Sequence, residues 1–147
     1  MNEAQFEYVT YIAASPKKVW NALLDPEITR LYWQHQNVSD WQPGSRWEHR
    51  SFDKKRTLRL VGKVVEYSPP RCLVLTWAVP ADEAREEKHS MVTLEIKPVR
   101  GVTRLTLTHE RLEPGSDMLE GITEGWPIVL SSLKSLLEVG RALPKLW

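Results

Sequence analysis

His49 and His109 are the side chains of this sequence best suited to chemistry near neutral pH. Each falls in an alternating run. Trp47, His49 and Ser51 share one face of residues 46–52, and Leu105, Leu107 and His109 share one face of residues 103–112. If those faces turn inward, both imidazoles project into the interior. There they would orient a polar ligand group or act as acid or base. A buried, hydrogen-bonded histidine is the other reading, and the residues leave both open. Arg111 continues the His109 alternation, which would put a guanidinium at a rim where it could meet a ligand carboxylate. Arg59 offers the same chemistry from the longest run; a solvated arginine is the alternative for each. His35 and His89 fall in expected loops. No two histidines have metal-ligand spacing and Cys72 is the single cysteine, so no metal site is expected. Cys72 follows Pro69-Pro70-Arg71 at the start of an apolar run and reads as a strand thiol rather than a nucleophile. There is no Gly-x-Ser-x-Gly, no phosphate-binding glycine loop and no Cys-His arrangement. No catalytic residue and no cofactor are assigned.

Seven tryptophans in 147 residues are the compositional oddity. Each brings a large apolar area and an N–H that needs a partner when buried. Trp33, Trp47, Trp77 and Trp126 are candidates to line a pocket, with Val129, Leu130 and Leu133 on the same helical face as Trp126. Trp20 reads as core, and Trp41 and Trp147 as near-surface or contact residues. The competing reading is that the rings simply fill the core. A small-molecule cavity would be about 300–1,000 Å³.

These residues need elements to hold them. Residues 6–13 are rich in aromatic and β-branched types and read as a strand. Ser15-Pro16 can cap a short helix carrying Val19, Trp20, Leu23 and Leu24. Asp25-Pro26 can cap a second, with Ile28, Leu31 and Tyr32 as its apolar side. Strands are expected over 46–52, 57–67, 73–79, 91–99 and 103–112, separated by turns at Pro43-Gly44, Asp53-Lys54-Lys55, Ser68-Pro69-Pro70 and Arg100-Gly101. Gly62 marks a bend or bulge in the longest strand. The charged loop 80–88 reads as a soluble hairpin end, with gating of a cavity as the alternative. From Leu119 to Leu137 apolar residues recur at three- and four-residue steps, the strongest helical signal in the chain. Pro127 should kink or restart that helix. The expected class is α+β. A curved antiparallel sheet of about six or seven strands wraps a long C-terminal helix, with two short helices after the first strand, and residues 1–147 form one domain.

The segments 12–20, Asp25-Pro26-Glu27 with Tyr32-Trp33, 43–47, 62–73, Thr76-Trp77, 103–109 and 125–130 with Leu133 resemble, in order, the START-like superfamily, and within it the domain shared with the activator of Hsp90 ATPase. The resemblance implies the helix-grip fold, related to Bet v 1, with a cavity between the long helix and the sheet. Ser45 departs from a glycine frequent after Pro43-Gly44 in relatives, which puts the loop at the cavity mouth in question; Pro127 is a second departure.

Lys plus Arg total 20 and Asp plus Glu 19, a net charge of +1, without the basic excess of a nucleic-acid surface. No run reaches the ~18 apolar residues of a membrane span. The N-terminal residues lack the pattern of a signal peptide, and with one cysteine a cytoplasmic location is expected. The leading expectation is a binder of a small apolar molecule, aromatic or lipid-like. The alternatives are an Hsp90-type co-chaperone or regulatory interaction domain, and a cyclase or dehydratase using His49 or His109. Monomer and homodimer both stay open, the latter through Trp147 and the strand edges.

Overall fold

The computed structural model describes residues 3–144; Trp147 lies outside them. The elements run β1 (Ala4–Ile12), α1 (Pro16–Leu24), α2 (Pro26–Tyr32), β2 (His35–Val38), β3 (Arg46–Ser51), β4 (Leu58–Ser68), β5 (Cys72–Trp77), β6 (Ser90–Val99), β7 (Val102–Leu112) and α3 (Asp117–Val139). The strands form one seven-stranded sheet in the order β1-β7-β6-β5-β4-β3-β2, with every pairing antiparallel. From β2 to β7 the chain is a meander. The first strand pairs with the last, and α1 and α2 carry the chain from one edge of the sheet to the other. This is the helix-grip α+β architecture.

The caps follow side-chain chemistry. Ser15 Oγ accepts the Lys18 N–H at 3.2 Å and Asp25 Oδ1 accepts the Glu27 N–H at 2.9 Å, each just ahead of a proline at the first helical position. Ser116 Oγ accepts from Leu119 N at 3.1 Å to start α3, and Gly140, at φ +80°, ends it. Arg100-Gly101, with φ of +50° and +85°, closes the β6–β7 hairpin.

Gly62 sits in β4 at a gap in its ladder with β5, between the pair Val64–Leu75 and the isolated bridge Val61–Ala78. Its Cα pairs with Trp47 in β3. On the other side the β4–β5 ladder is interrupted. Thr76 O accepts the Trp47 indole N–H at 2.7 Å, and Thr76 Oγ1 accepts the Lys63 N–H at 2.8 Å. A Cβ on Gly62 would stand 1.9 Å from Thr76 O and 2.5 Å from Trp47 Nε1. Glycine is required there so that the indole can cross β4 and reach the next strand.

The apolar stripe of α3, formed by Ile122, Trp126, Val129, Leu130 and Leu133, packs with Trp47, Trp77, Val92, Leu94, Leu105 and Leu107 of the sheet in one core cluster. Glu138 accepts the Ala13 N–H at 2.7 Å, and Lys134 bonds both Glu138 and the Tyr11 carbonyl, fixing the helix end to β1.

Several expectations change. His35 is not in a loop but opens β2, a short strand whose polar sequence gave no alternation signal. On α2, Thr29 and Tyr32 are buried while Leu31 is 48% exposed, because a seven-residue helix presents only one i, i+3 pair to the core. α3 runs uninterrupted through Pro127. Packing of the residues on either side holds it across the hydrogen bond that the proline cannot donate. Arg111 does not continue the His109 face. Ala4 pairs with Leu112 and Phe6 with His109, so two residues of β7 oppose one of β1. At this bulge Arg111 takes φ +60° and is exposed, and Leu112 occupies the inward position. Arg59 is likewise exposed, at a register shift between β3 and β4.

Candidate functional site

β3 delivers Trp47 and His49 to the inner face, β5 delivers Trp77, β7 delivers His109 and α3 delivers Trp126; all five are buried. Their rings touch in sequence. Trp47 lies 5.0 Å from Trp77, Trp77 lies 5.3 Å from Trp126, and Trp126 lies 5.6 Å from Trp33 at the end of α2, centroid to centroid. These rings fill most of the space expected for a large cavity.

What remains between α3 and the sheet is a deep void of about 20 Å³ beside Trp33, Asn37, Trp77 and Trp126, near the space of one water. Outside it lies an open cleft of about 120 Å³. One wall is Trp33, His49, Leu60 and Trp77; the other is Gly121, Ile122, Gly125, Trp126 and Val129 of α3. Larger hollows, of about 460 and 380 Å³, lie elsewhere, beside Pro16 and Pro98 and beside Trp20 and Trp41.

The structure thus brings five expected site residues to the cleft: Trp33, His49, Trp77, Trp126 and Val129. Trp47, Leu130 and Leu133 are fully buried core, and Arg111 faces away. Leu60, Gly121, Ile122 and Gly125 were missed. The two glycines stand four apart on α3 beside its apolar stripe, Gly121 exposed and Gly125 half-buried, a spacing visible in the sequence. A Cβ on either would meet nothing within 4 Å.

His109 makes a closed relay. Trp126 Nε1–H donates to its Nδ1 at 3.0 Å. Its Nε2 therefore carries the proton and donates to Ser90 Oγ at 2.8 Å, while Ser90 donates to Trp77 O at 3.0 Å. Both ring nitrogens are used, and burial lowers the pKa to about 4. This is a neutral histidine that ties α3 to β5, β6 and β7. At His49, Asn37 Nδ2 donates to Leu23 O at 3.3 Å, which turns Asn37 Oδ1 toward His49 Nδ1 at 2.7 Å. His49 therefore donates from Nδ1 and keeps Nε2 as an acceptor. Burial, with His35 stacked at 4.8 Å, lowers its pKa to about 3. Cys72 is half-buried, and burial with Glu66 nearby raises its thiol to about 11, so little thiolate forms at neutral pH. Loop 80–88 is pinned by Glu83, which accepts from Arg46 Nε at 2.5 Å and from Nη2 at 3.1 Å. None of its residues lines the cleft.

Residues 13–138 match the family described as Activator of Hsp90 ATPase homolog 1-like protein. The chain belongs to this family. No curated protein matches the sequence. Among solved structures, the Aha1 dimer from Colwellia psychrerythraea is 21% identical, over 95% of this chain and 99% of that one, with a TM-score of 0.73. An HSP90 activator from Plasmodium falciparum, PFC0360w, is 25% identical over 90% and 95%, with a TM-score of 0.72. CalU16 from Micromonospora echinospora is 20% identical over 92% and 77%, with a TM-score of 0.71. These structures share the fold described above. Among the described residues, no helix is long and apolar enough to cross a membrane.

Proposed function

We propose that this family member, acting as one domain in the cytoplasm, binds a small single-ring apolar molecule in the cleft between α3 and the β3–β5 face. The observation that carries this reading is the pair Gly121 and Gly125. Glycine in a helix interior destabilises it relative to alanine by roughly 0.5–1 kcal/mol, and no packing neighbour here excludes a side chain. Two such positions under an aromatic wall keep a space open at a cost to helix stability. The volume narrows the ligand. A cleft of about 120 Å³ suits one ring, since an apolar cavity of ~150 Å³ takes a benzene. A lipid-like ligand needs the larger class of pocket. Acid–base catalysis has weak support, because His109 is fully engaged and His49, at about 3, is a poor base at neutral pH.

The test is an NMR titration with toluene and, separately, with a long-chain fatty acid. Toluene should shift the side-chain signals of Trp33, Trp77 and Trp126, and the fatty acid should not. Shifts with the fatty acid alone would contradict the reading.

Action on an Hsp90-type chaperone is the second reading, supported by the likeness to the Plasmodium falciparum HSP90 activator. It predicts faster ATP turnover when the protein is added to an Hsp90; unchanged turnover at saturating concentration counts against it.

A further inference from the structure

We infer that two copies of this chain associate through patches of opposite charge, the basic tip of the β3–β4 hairpin in each copy lying against the acidic flank of α3 in the other. Neither patch depends on what occupies the cleft.

Residues 54–59 hold Lys54, Lys55, Arg56 and Arg59 and no acidic residue. Residues 112–133 hold Glu113, Asp117, Glu120 and Glu124 and no lysine or arginine. All eight side chains are exposed, and none has an ion-pair partner among the described residues. The charges at the base of the same hairpin are matched within the chain. Arg46 pairs with Glu48 and Glu83, Arg50 with Glu48, and Lys63 with Glu86. Asp53, the acid nearest the tip, is engaged by the Lys55 and Arg56 N–H groups at 3.1 and 2.8 Å. The tip also has a fixed shape. The Arg56 guanidinium lies 4.0 Å from the centre of the Phe52 ring, and Arg50 Nη1 donates to Arg56 O at 2.8 Å.

Asp117, Glu120 and Glu124 stand at three- and four-residue steps and so share one flank of α3. Like charges at that spacing repel, which cations from outside would relieve. Beside them is a recess of about 260 Å³ lined by Gly115, Ser116, Leu119, Glu120, Thr123 and Glu124, with room for the apolar stem of a lysine or arginine.

The two patches belong to elements on opposite walls of the cleft, where β3 and β4 supply His49 and Leu60 and α3 supplies Gly121 and Gly125. Both signs on one molecule select the partner. A wholly acidic or wholly basic partner meets one patch and is repelled by the other. A second copy related by a twofold axis matches both at once, and such a contact closes at two chains.

The experiment is sedimentation equilibrium of the unmodified protein at low and high salt, of Lys54→Glu/Lys55→Glu, of Glu120→Lys/Glu124→Lys, and of the two variants mixed in equal amounts. Thermal unfolding of each variant establishes that it is folded. The unmodified protein should dimerise at low salt. Because exposed pairs are screened, high salt should weaken the dimer about tenfold or more, as should each variant alone. In the mixture the altered tip of one variant meets the altered helix of the other, and their unaltered patches also match, so dimers should return. A monomer under all conditions, as expected if the patches serve other molecules, would overturn the inference. So would variants that dimerise like the unmodified protein, or a mixture that stays monomeric.

Discussion

His109 and His49 are neutral in the folded protein because burial disfavours their charged forms, which sets a pH dependence with a definite sign. Their folded pKa values, about 4 and about 3, lie below the ordinary histidine value. The unfolded chain therefore binds more protons between roughly pH 6.5 and 4, and stability rises with pH across that window. The contribution is fully present above the unfolded pKa and is lost as pH falls toward the folded values. Each histidine should contribute a slope of roughly 1 kcal/mol per pH unit there. Urea unfolding at a series of pH values checks this; a flat profile between pH 6 and 4.5 would contradict it. The inward placement of both imidazoles was legible in the sequence, since alternation with Trp47 and with Leu105 and Leu107 assigns the face. Their roles were not. Ser90, Asn37 and Leu23 O become partners only when distant segments meet, and no local pattern marks them.

At the level of elements, Gly62 is where strand sequence and core packing meet. Gly62→Ala places a methyl against the Thr76 carbonyl and the Trp47 indole. Relief needs a backbone shift and breaks the Trp47 hydrogen bond, so the variant should lose about 3 kcal/mol or more. Denaturant unfolding followed by tryptophan fluorescence checks this, and a loss below 1 kcal/mol would contradict the role assigned to Gly62. Strand positions, both short helices with their caps, and α3 were legible because each carries its own period or capping residue. Bulges were not. Arg111 follows the alternation in sequence but leaves it in space, because a bulge is set by how a strand pairs with its neighbour. β2 was missed because His35-Gln36-Asn37-Val38 has no apolar alternation and holds its place by pairing with β3. Pro127 was read as a break, yet its helix stays whole because the stripe on either side is buried against the sheet.

Across the whole molecule, the helix and sheet close on each other almost completely. The tryptophans that suggested a pocket instead fill most of it, and the remaining open space is a cleft of about 120 Å³ over Gly121 and Gly125. The sequence displayed the rings and the glycines, but free volume depends on how the rings stack, which is a property of the assembled core. In the proposed site these two glycines trade helix stability for a binding space. Thermal unfolding of the unmodified protein and of Gly121→Ala/Gly125→Ala, each with and without saturating toluene, tests it most directly. Without ligand the double variant should melt a few degrees higher, as expected from roughly 0.5–1 kcal/mol per glycine replaced. Toluene should raise the melting temperature of the unmodified protein and leave that of the variant unchanged. A variant that melts lower, or that gains as much from toluene as the unmodified protein does, would contradict this role of the glycines.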